Sequence, residues 1–122
     1  MIGFLAIDIG ASDGKAFVGK YDRNRLVLEE VHRFPNEPIH IGRSTHWNLI
    51  SLYRNVLDSI KAASSLGIEI RSVGIDTWGV DFGLIDRSGS IQGDPRHYRD
   101  MFKDDSMDYA IKKAGKRWIF DR

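Results

Sequence analysis

The 122-residue sequence contains no cysteine. That removes disulfides, thiolate nucleophiles and cysteine-ligated zinc from consideration, and it fits a reducing compartment. Long hydrophobic runs are also missing. The apolar stretch at the start, Ile2 to Ile7, ends at Asp8 and has no basic segment before it. It is too short for a signal peptide, and no window reaches the length of a membrane span. A cytoplasmic protein without a membrane partner is the expectation. Charge of one sign is not in excess either: 18 Lys and Arg stand against 17 Asp and Glu, for a net charge of +1. The two signs are mixed along the chain, with 8 basic and 7 acidic residues in 1–61 and 10 of each in 62–122. No basic footprint exists for nucleic acid to bind. The four histidines, at 32, 40, 46 and 97, show no metal-ligand spacing. What is present is an ordinary globular mixture, 42% apolar and 29% charged, which excludes bulk disorder. A chain of this length builds one small domain and buries roughly two-thirds of its unfolded surface.

Local patterning divides the chain into elements. Phe4 to Asp8 reads as a strand, Ile9 to Lys15 as a small, polar, glycine-rich turn, and Ala16 to Tyr21 as a second strand. Asp22 to Arg25 turns again into a third strand, Leu26 to Phe34. Three strands joined by short turns make an antiparallel meander. Pro35 and Pro38 interrupt the pattern, leaving a loop over 36–44. Thr45 is a candidate cap for a helix from His46 to Ser64. Its apolar positions Trp47, Ile50, Leu52, Val56, Leu57, Ile60 and Ala63 lie near helical spacing, and Gly67 ends it. Ser72 to Thr77 reads as a buried strand. Residues 82–86 and 90–92 read as a hairpin, Pro95 to Asp100 as a loop, and Phe102 to Ala114 as a second helix stopped by Gly115. Strands lead and a crossover helix returns to them, which predicts an α/β fold with a mixed sheet covered by helices.

Two loops carry chemistry. In Asp8-Ile9-Gly10-Ala11-Ser12-Asp13-Gly14-Lys15, the glycines allow a tight turn and successive amides can form an anion-binding concavity. Asp8 at the strand end can hold Mg²⁺, and Lys15 offers charge to a phosphate. A plain hairpin turn with a solvated lysine and a capping aspartate explains the same residues. The spacing matches neither the GxxxxGK[ST] nor the GxGxxG phosphate motif. The second loop, Ile75-Asp76-Thr77-Trp78-Gly79-Val80-Asp81-Phe82, gathers two carboxylates, an indole and a glycine. An aromatic face covers sugar C–H groups and carboxylates accept from hydroxyls, so a sugar site is one reading. Trp78 in the core and Asp81 capping a turn is the other. Asp81-Phe82-Gly83 also spells a protein-kinase triplet, but no accompanying kinase motif is present. Tyr98-Arg99-Asp100 adds an arginine suited to a forked pair with a carboxylate or phosphate, or a solvated loop end. Lys112, Lys113, Lys116 and Arg117 read as a solvated helix face.

Taken together, these segments resemble the FGGY family of carbohydrate kinases, most closely its L-rhamnulose kinases, over nearly the whole chain. The resemblance rests on DIGASDGK at 8–15, EVHRFPN at 30–36, T-x-W-N at 45–48, SVGIDTWGVDF at 72–82, YRD at 98–100 and GKRWIFDR at 115–122. It implies the ribonuclease-H-like fold of the actin, Hsp70 and sugar-kinase superfamily. Residues 1–122 would then be an opening portion of the first of two domains. It also implies ATP- and Mg²⁺-dependent phosphorylation of a ketose at its terminal hydroxyl.

Carried over by position, Ala11, Ser12, Asp13, Gly14 and Lys15 resemble the ATP-phosphate loop, with Asp8 near the metal. Gly79 resembles a substrate contact, Trp78 and Asp81 line the same sugar pocket, and Tyr98 and Arg99 join them. The resemblance is imperfect at one point, because L-rhamnulose kinases usually have Ser-Ser-Gly-Arg where this chain has Ser12-Asp13-Gly14-Lys15. The family's catalytic base is an aspartate after a Gly-His pair far downstream, beyond Arg122, so no catalytic residue is assigned and the isolated chain is expected to be inactive. Kinases for xylulose or fuculose, or a non-catalytic binding module, are the alternatives. A truncated domain would leave a sheet edge or helix face bare, so self-association is expected.

Overall fold

In the computed structural model, which describes residues 2–22, 24–100 and 105–121, side-chain alternation at the start of the chain becomes a half-buried strand. Leu5, Ile7 and Ile9 of β1 (Ile2–Ile9) point inward, and Phe4, Ala6 and Asp8 point outward. β2 (Asp13–Asp22) and β3 (Arg25–Pro35) continue the sheet antiparallel, as the meander pattern predicts. The glycine-rich turn is shorter than its composition suggests. Asp13, Gly14 and Lys15 are not turn residues but already strand, opposite Pro35, Phe34 and Arg33. Gly14 is required by packing. A Cβ there would lie 2.1 Å from the Phe34 ring, so the aromatic of β3 occupies the space a side chain would need.

Helix α1 (Leu49–Ser64) crosses over and delivers β6 (Glu69–Thr77) parallel to β1, giving the sheet order β3-β2-β1-β6. Its cap is Asn48, whose side-chain oxygen accepts from the Ser51 amide at 3.0 Å. Thr45 cannot serve as that cap. It belongs to a two-strand ladder of β4 (Ile39–Ile41) and β5 (Ser44–His46), which forms within and just beyond the stretch read as loop. Gly42 makes that hairpin possible, with φ of 60° at its turn. Trp47 therefore precedes the helix. Leu52, Val56 and Ala63 of α1 face the sheet, whereas Ile50, Leu57 and Ile60 are exposed. Ser59 is buried on the inner face, and its hydroxyl donates to the Asn55 carbonyl at 2.7 Å. His32 of β3 donates to Asn55 Oδ1 at 3.0 Å and stacks on Phe34, a pairing role and not a metal-ligand one.

The core consists of Leu5, Ile7, Ile9, Ala16, Val18, Phe34, Leu52 and Ala63. β6 departs from expectation. Read as a buried strand, it is exposed at every residue except Ile70, with Val73 and Ile75 at 45% and 54%. It is the sheet's edge, and among the described residues nothing pairs with its far side or covers it.

The chain forms two compact units, Met1–Glu37 with Asn48–Val80 and Pro38–Trp47 with Asp81–Arg122. The first holds the sheet and α1. The second contains β4, β5, the segment after Val80, α2 (Ser106–Ala114) and α3 (Lys116–Phe120). The hairpin predicted over 82–92 reduces to a single bridge between Ile85 and Ile91 around an Asp86 turn. Asp86 Oδ1 accepts from the amides of Ser88 and Ser90 at 2.8 and 2.9 Å and from the Ser88 hydroxyl at 2.6 Å. The Ser88 hydroxyl is the main reason its carboxyl lies below the usual aspartate range. The start of the predicted second helix, residues 102–104, lies outside the described residues. Gly115, with φ of 84°, separates α2 from the additional turn of α3. The lysines and arginine at 112, 113, 116 and 117 are exposed, as a solvated face requires.

Candidate functional site

The first cluster forms at the end of the sheet where β1 turns into β2. Gly10 donates its amide to the Asp13 carbonyl at 2.9 Å, closing a turn over Ala11 and Ser12. A Cβ on Gly10 would lie 2.9 Å from that same carbonyl, so the turn leaves no room for a side chain. Asn36, buried just after β3, clasps the turn from outside. Its amide donates to the Ser12 carbonyl at 2.9 Å and its side-chain nitrogen to the Gly10 carbonyl at 2.8 Å. The carbonyls are thus drawn into the protein. Among the described residues, the amides of Ala11 and Ser12 have no hydrogen-bond acceptor. Amides left without an acceptor at a turn are able to bind an anion.

The outer face of the sheet continues this end with charge. Asp76, Asp8 and Lys15 are successive register partners on β6, β1 and β2, and Lys15 is opposite Arg33 on β3. Asp13 Oδ2 lies 3.5 Å from Lys15 Nζ and 3.2 Å from Arg33 Nη1. Glu30 grips the remaining edge of Arg33, accepting from Nη2 at 2.7 Å and Nε at 2.9 Å. That bidentate bond holds the Glu30 carboxyl below, and the Arg33 guanidinium above, their ordinary ranges. Asp8 is exposed on the same face. A single carboxylate with waters is a common Mg²⁺ foothold. Among the described residues no three His, Asp or Glu side chains form a metal cage.

The second cluster lies in the unit that contains Asp81. Trp47, only 2% exposed, donates its indole N–H to Asp81 Oδ2 at 2.6 Å. The His97 ring packs tilted against Trp47 with centroids 4.1 Å apart, Tyr98 stacks on His97 at 4.5 Å, and Arg99 covers the Tyr98 ring at 5.1 Å. Asp81, Tyr98 and Arg99 are thereby gathered by Trp47 and His97, neither of which sequence reasoning placed in a site. A signal did exist in the T-x-W-N segment, but its helical reading hid it. Asp100, buried, pairs with Arg96, whose Nη1 donates to Asp100 Oδ2 at 2.8 Å. A cavity of about 220 Å³ lies beside this cluster's segment, between Phe82–Leu84 and Gln92–Arg96.

Trp78 and Gly79 belong to the first unit. Trp78 is half-buried and packs against the core cluster, as the plainer of its two readings expects. Gly79 is exposed, and a Cβ on it would meet no atom within 4 Å. Nothing in the chain's own packing requires glycine at that position.

No family model matches the chain. It is 42% identical over 97 residues to a rhamnulokinase of Bacteroides thetaiotaomicron, which covers 80% of this chain and 20% of that protein. It is 38% identical over 116 residues to a rhamnulokinase of Oceanobacillus iheyensis, covering 95% of this chain and 25% of that protein. The chain therefore spans about a fifth to a quarter of the length of these relatives. Among solved structures it superimposes on a ligand-bound xylulose kinase from Lactobacillus acidophilus with a TM-score of 0.76 at 12% identity, covering 100% of this chain and 25% of that one. A glycerol kinase from Plasmodium falciparum with ADP gives 0.69 at 18% identity, over 95% of this chain and 23% of that one. The mixed sheet with its antiparallel three-strand start is the sugar-kinase fold, as the motifs imply.

Proposed function

We propose, for a chain homologous to rhamnulokinases over most of its length, that it supplies the phosphate turn and part of the sugar pocket of a carbohydrate kinase. The reaction is ATP-dependent transfer of a phosphoryl group to the terminal hydroxyl of a ketose, L-rhamnulose first. Sequence identity of 33–42% to rhamnulokinases is the observation that carries this reading. Two features of the chain support it. The Ala11 and Ser12 amides, which have no acceptor among the described residues, and Lys15 near the start of β2 suit the phosphates of ATP, and Asp8 suits Mg²⁺ through water. Gly79, free of any packing demand, suits a position where substrate comes close to the backbone. ATP, when bound, supplies the phosphoryl group and Mg²⁺ neutralises its charge. The chain's own residues then bind and orient. The 11–15 segment takes the phosphates, and the residues assigned to the sugar are Trp78 and Gly79 in one unit and Asp81, Tyr98 and Arg99 in the other. This reading assigns the base for the hydroxyl proton to none of them, which leaves the chain by itself catalytically incomplete.

Two measurements test this. The chain mixed with ATP, Mg²⁺ and L-rhamnulose should release no ADP above background, and turnover would overturn the incompleteness. Amide chemical shifts of residues 78–81 and 98–99 should respond to L-rhamnulose. A response to xylulose or fuculose with L-rhamnulose inert would replace the substrate. The uncovered strand β6 also favours self-association of the chain, and a strictly monomeric species in light scattering at high concentration would count against it.

A further inference from the structure

The outer face near the turn contains an arrangement that β-sheet chemistry disfavours by itself. Lys15 and Arg33 are direct cross-strand partners, and like charges in that position repel. Asp13 resolves the repulsion. One of its oxygens, Oδ2, is shared between Lys15 Nζ at 3.5 Å and Arg33 Nη1 at 3.2 Å. One anionic oxygen bridging an ammonium and a guanidinium is the geometry a phosphate oxygen adopts between the same two groups. The three side chains are partly open to solvent, at 45% for Asp13, 34% for Lys15 and 51% for Arg33, so an incoming anion can reach them. Asp13 also closes the neighbouring turn through its carbonyl, and among the described residues the Ala11 and Ser12 amides of that turn have no hydrogen-bond acceptor. Glu30 holds the far edge of the guanidinium and fixes its plane without occupying Nη1.

We propose that Lys15 and Arg33 together seat the terminal phosphates of a nucleotide, and that Asp13 is an exchangeable internal anion that fills the seat until polyphosphate displaces it. This rests on reading the 11–15 segment as a phosphate turn and adds to it a residue from a different strand. It also accounts for the two residues in which this chain departs from its resemblance. Lysine at 15 gives a point charge without a planar fork, and Arg33 restores the fork from β3. Asp13 then competes with phosphate for the two cations and weakens the seat without removing it.

The test is titration of the chain with inorganic tripolyphosphate at low salt, followed through backbone amide shifts. Arg33→Gln and Lys15→Gln should each weaken binding by up to about five-fold, the range of a partly exposed ion pair. Asp13→Asn should strengthen it by a similar factor. Glu30→Gln should leave both cations in place and keep binding near the parent value. Arg33→Lys, which retains charge without the fork, should fall between the parent and Arg33→Gln, and it decides the matter if the glutamine variant loses its native spectrum. Parent-level binding by Arg33→Gln, weaker binding by Asp13→Asn, or no binding by the parent chain would overturn the proposal. Loss in Lys15→Gln alone removes the Arg33 seat and leaves the phosphate turn. The full pattern with tripolyphosphate but no response to ATP keeps the seat and removes the kinase reading.

Discussion

β1 and β6 are parallel neighbours with similar sequences, each with Ile-Asp just before its last residue, and they have opposite fates. In β1 every second residue is buried, and Ile7 is 1% exposed. Its register partner Ile75 in β6 is 54% exposed. The strands differ in position more than in composition. β1 is internal, with pairing on both sides and α1 over one face, whereas β6 forms the edge. Parallel strands normally need cover on both faces. The pair therefore teaches that an apolar strand pattern records what a strand is built to meet, and this chain meets that demand on one face of β1 and, in β6, only at Ile70.

The loops that follow extend the contrast. The one after β1 is fixed by Asn36 and by the Phe34 ring over Gly14. The one after β6 begins at Trp78, against the core, and passes to Gly79, which has open space around it.

The largest expected effect separates the two strands. Ile7→Ala should cost about 2–5 kcal/mol in urea unfolding, while Ile75→Ala should cost less than about 1 kcal/mol. Equal costs would mean that β6 is covered in solution, which would break the contrast. Next, Gly14→Ala should destabilise by about 1–3 kcal/mol through overpacking on Phe34. Pairing it with Phe34→Leu should recover part of that loss, and failure to do so would remove the packing explanation. Asn36→Ala should cost roughly 1–2 kcal/mol and weaken tripolyphosphate binding, whereas Gly79→Ala should stay within about 0.5 kcal/mol. A large loss at Gly79 would show a structural demand there. The smallest effect is the pH dependence of the Asp86 turn. Its carboxyl is depressed in the folded state, so its contribution is complete above the ordinary aspartate range and disappears as pH falls through the lowered value. Amide protection at Ser88 and Ser90 should drop on acidification while that of Val18 persists.

The meander, the crossover helix and the positions of both chemical loops were legible in the sequence, because each depends on local alternation, helical spacing or turn composition. The remaining features depend on partners far along the chain. Trp47 looks helical until its indole is seen to reach Asp81, 34 residues away. The helix cap moves to Asn48 because Thr45 is taken by a hairpin opposite His40. Gly14 looks like a turn glycine, and its partner Phe34 shows that it is a glycine for packing. The burial of Ser72–Thr77 failed because cover is set by what lies on a sheet, which a strand's own residues do not record.

The clasp of Asn36 on the Gly10 turn has a consequence for anyone wishing to move this motif elsewhere. The octapeptide from Asp8 to Lys15 is not a portable module. Its shape is written partly 26 positions away, so a graft of the loop alone would arrive without the residue that turns its carbonyls inward. The smallest transplantable unit is the whole three-strand meander through Asn36.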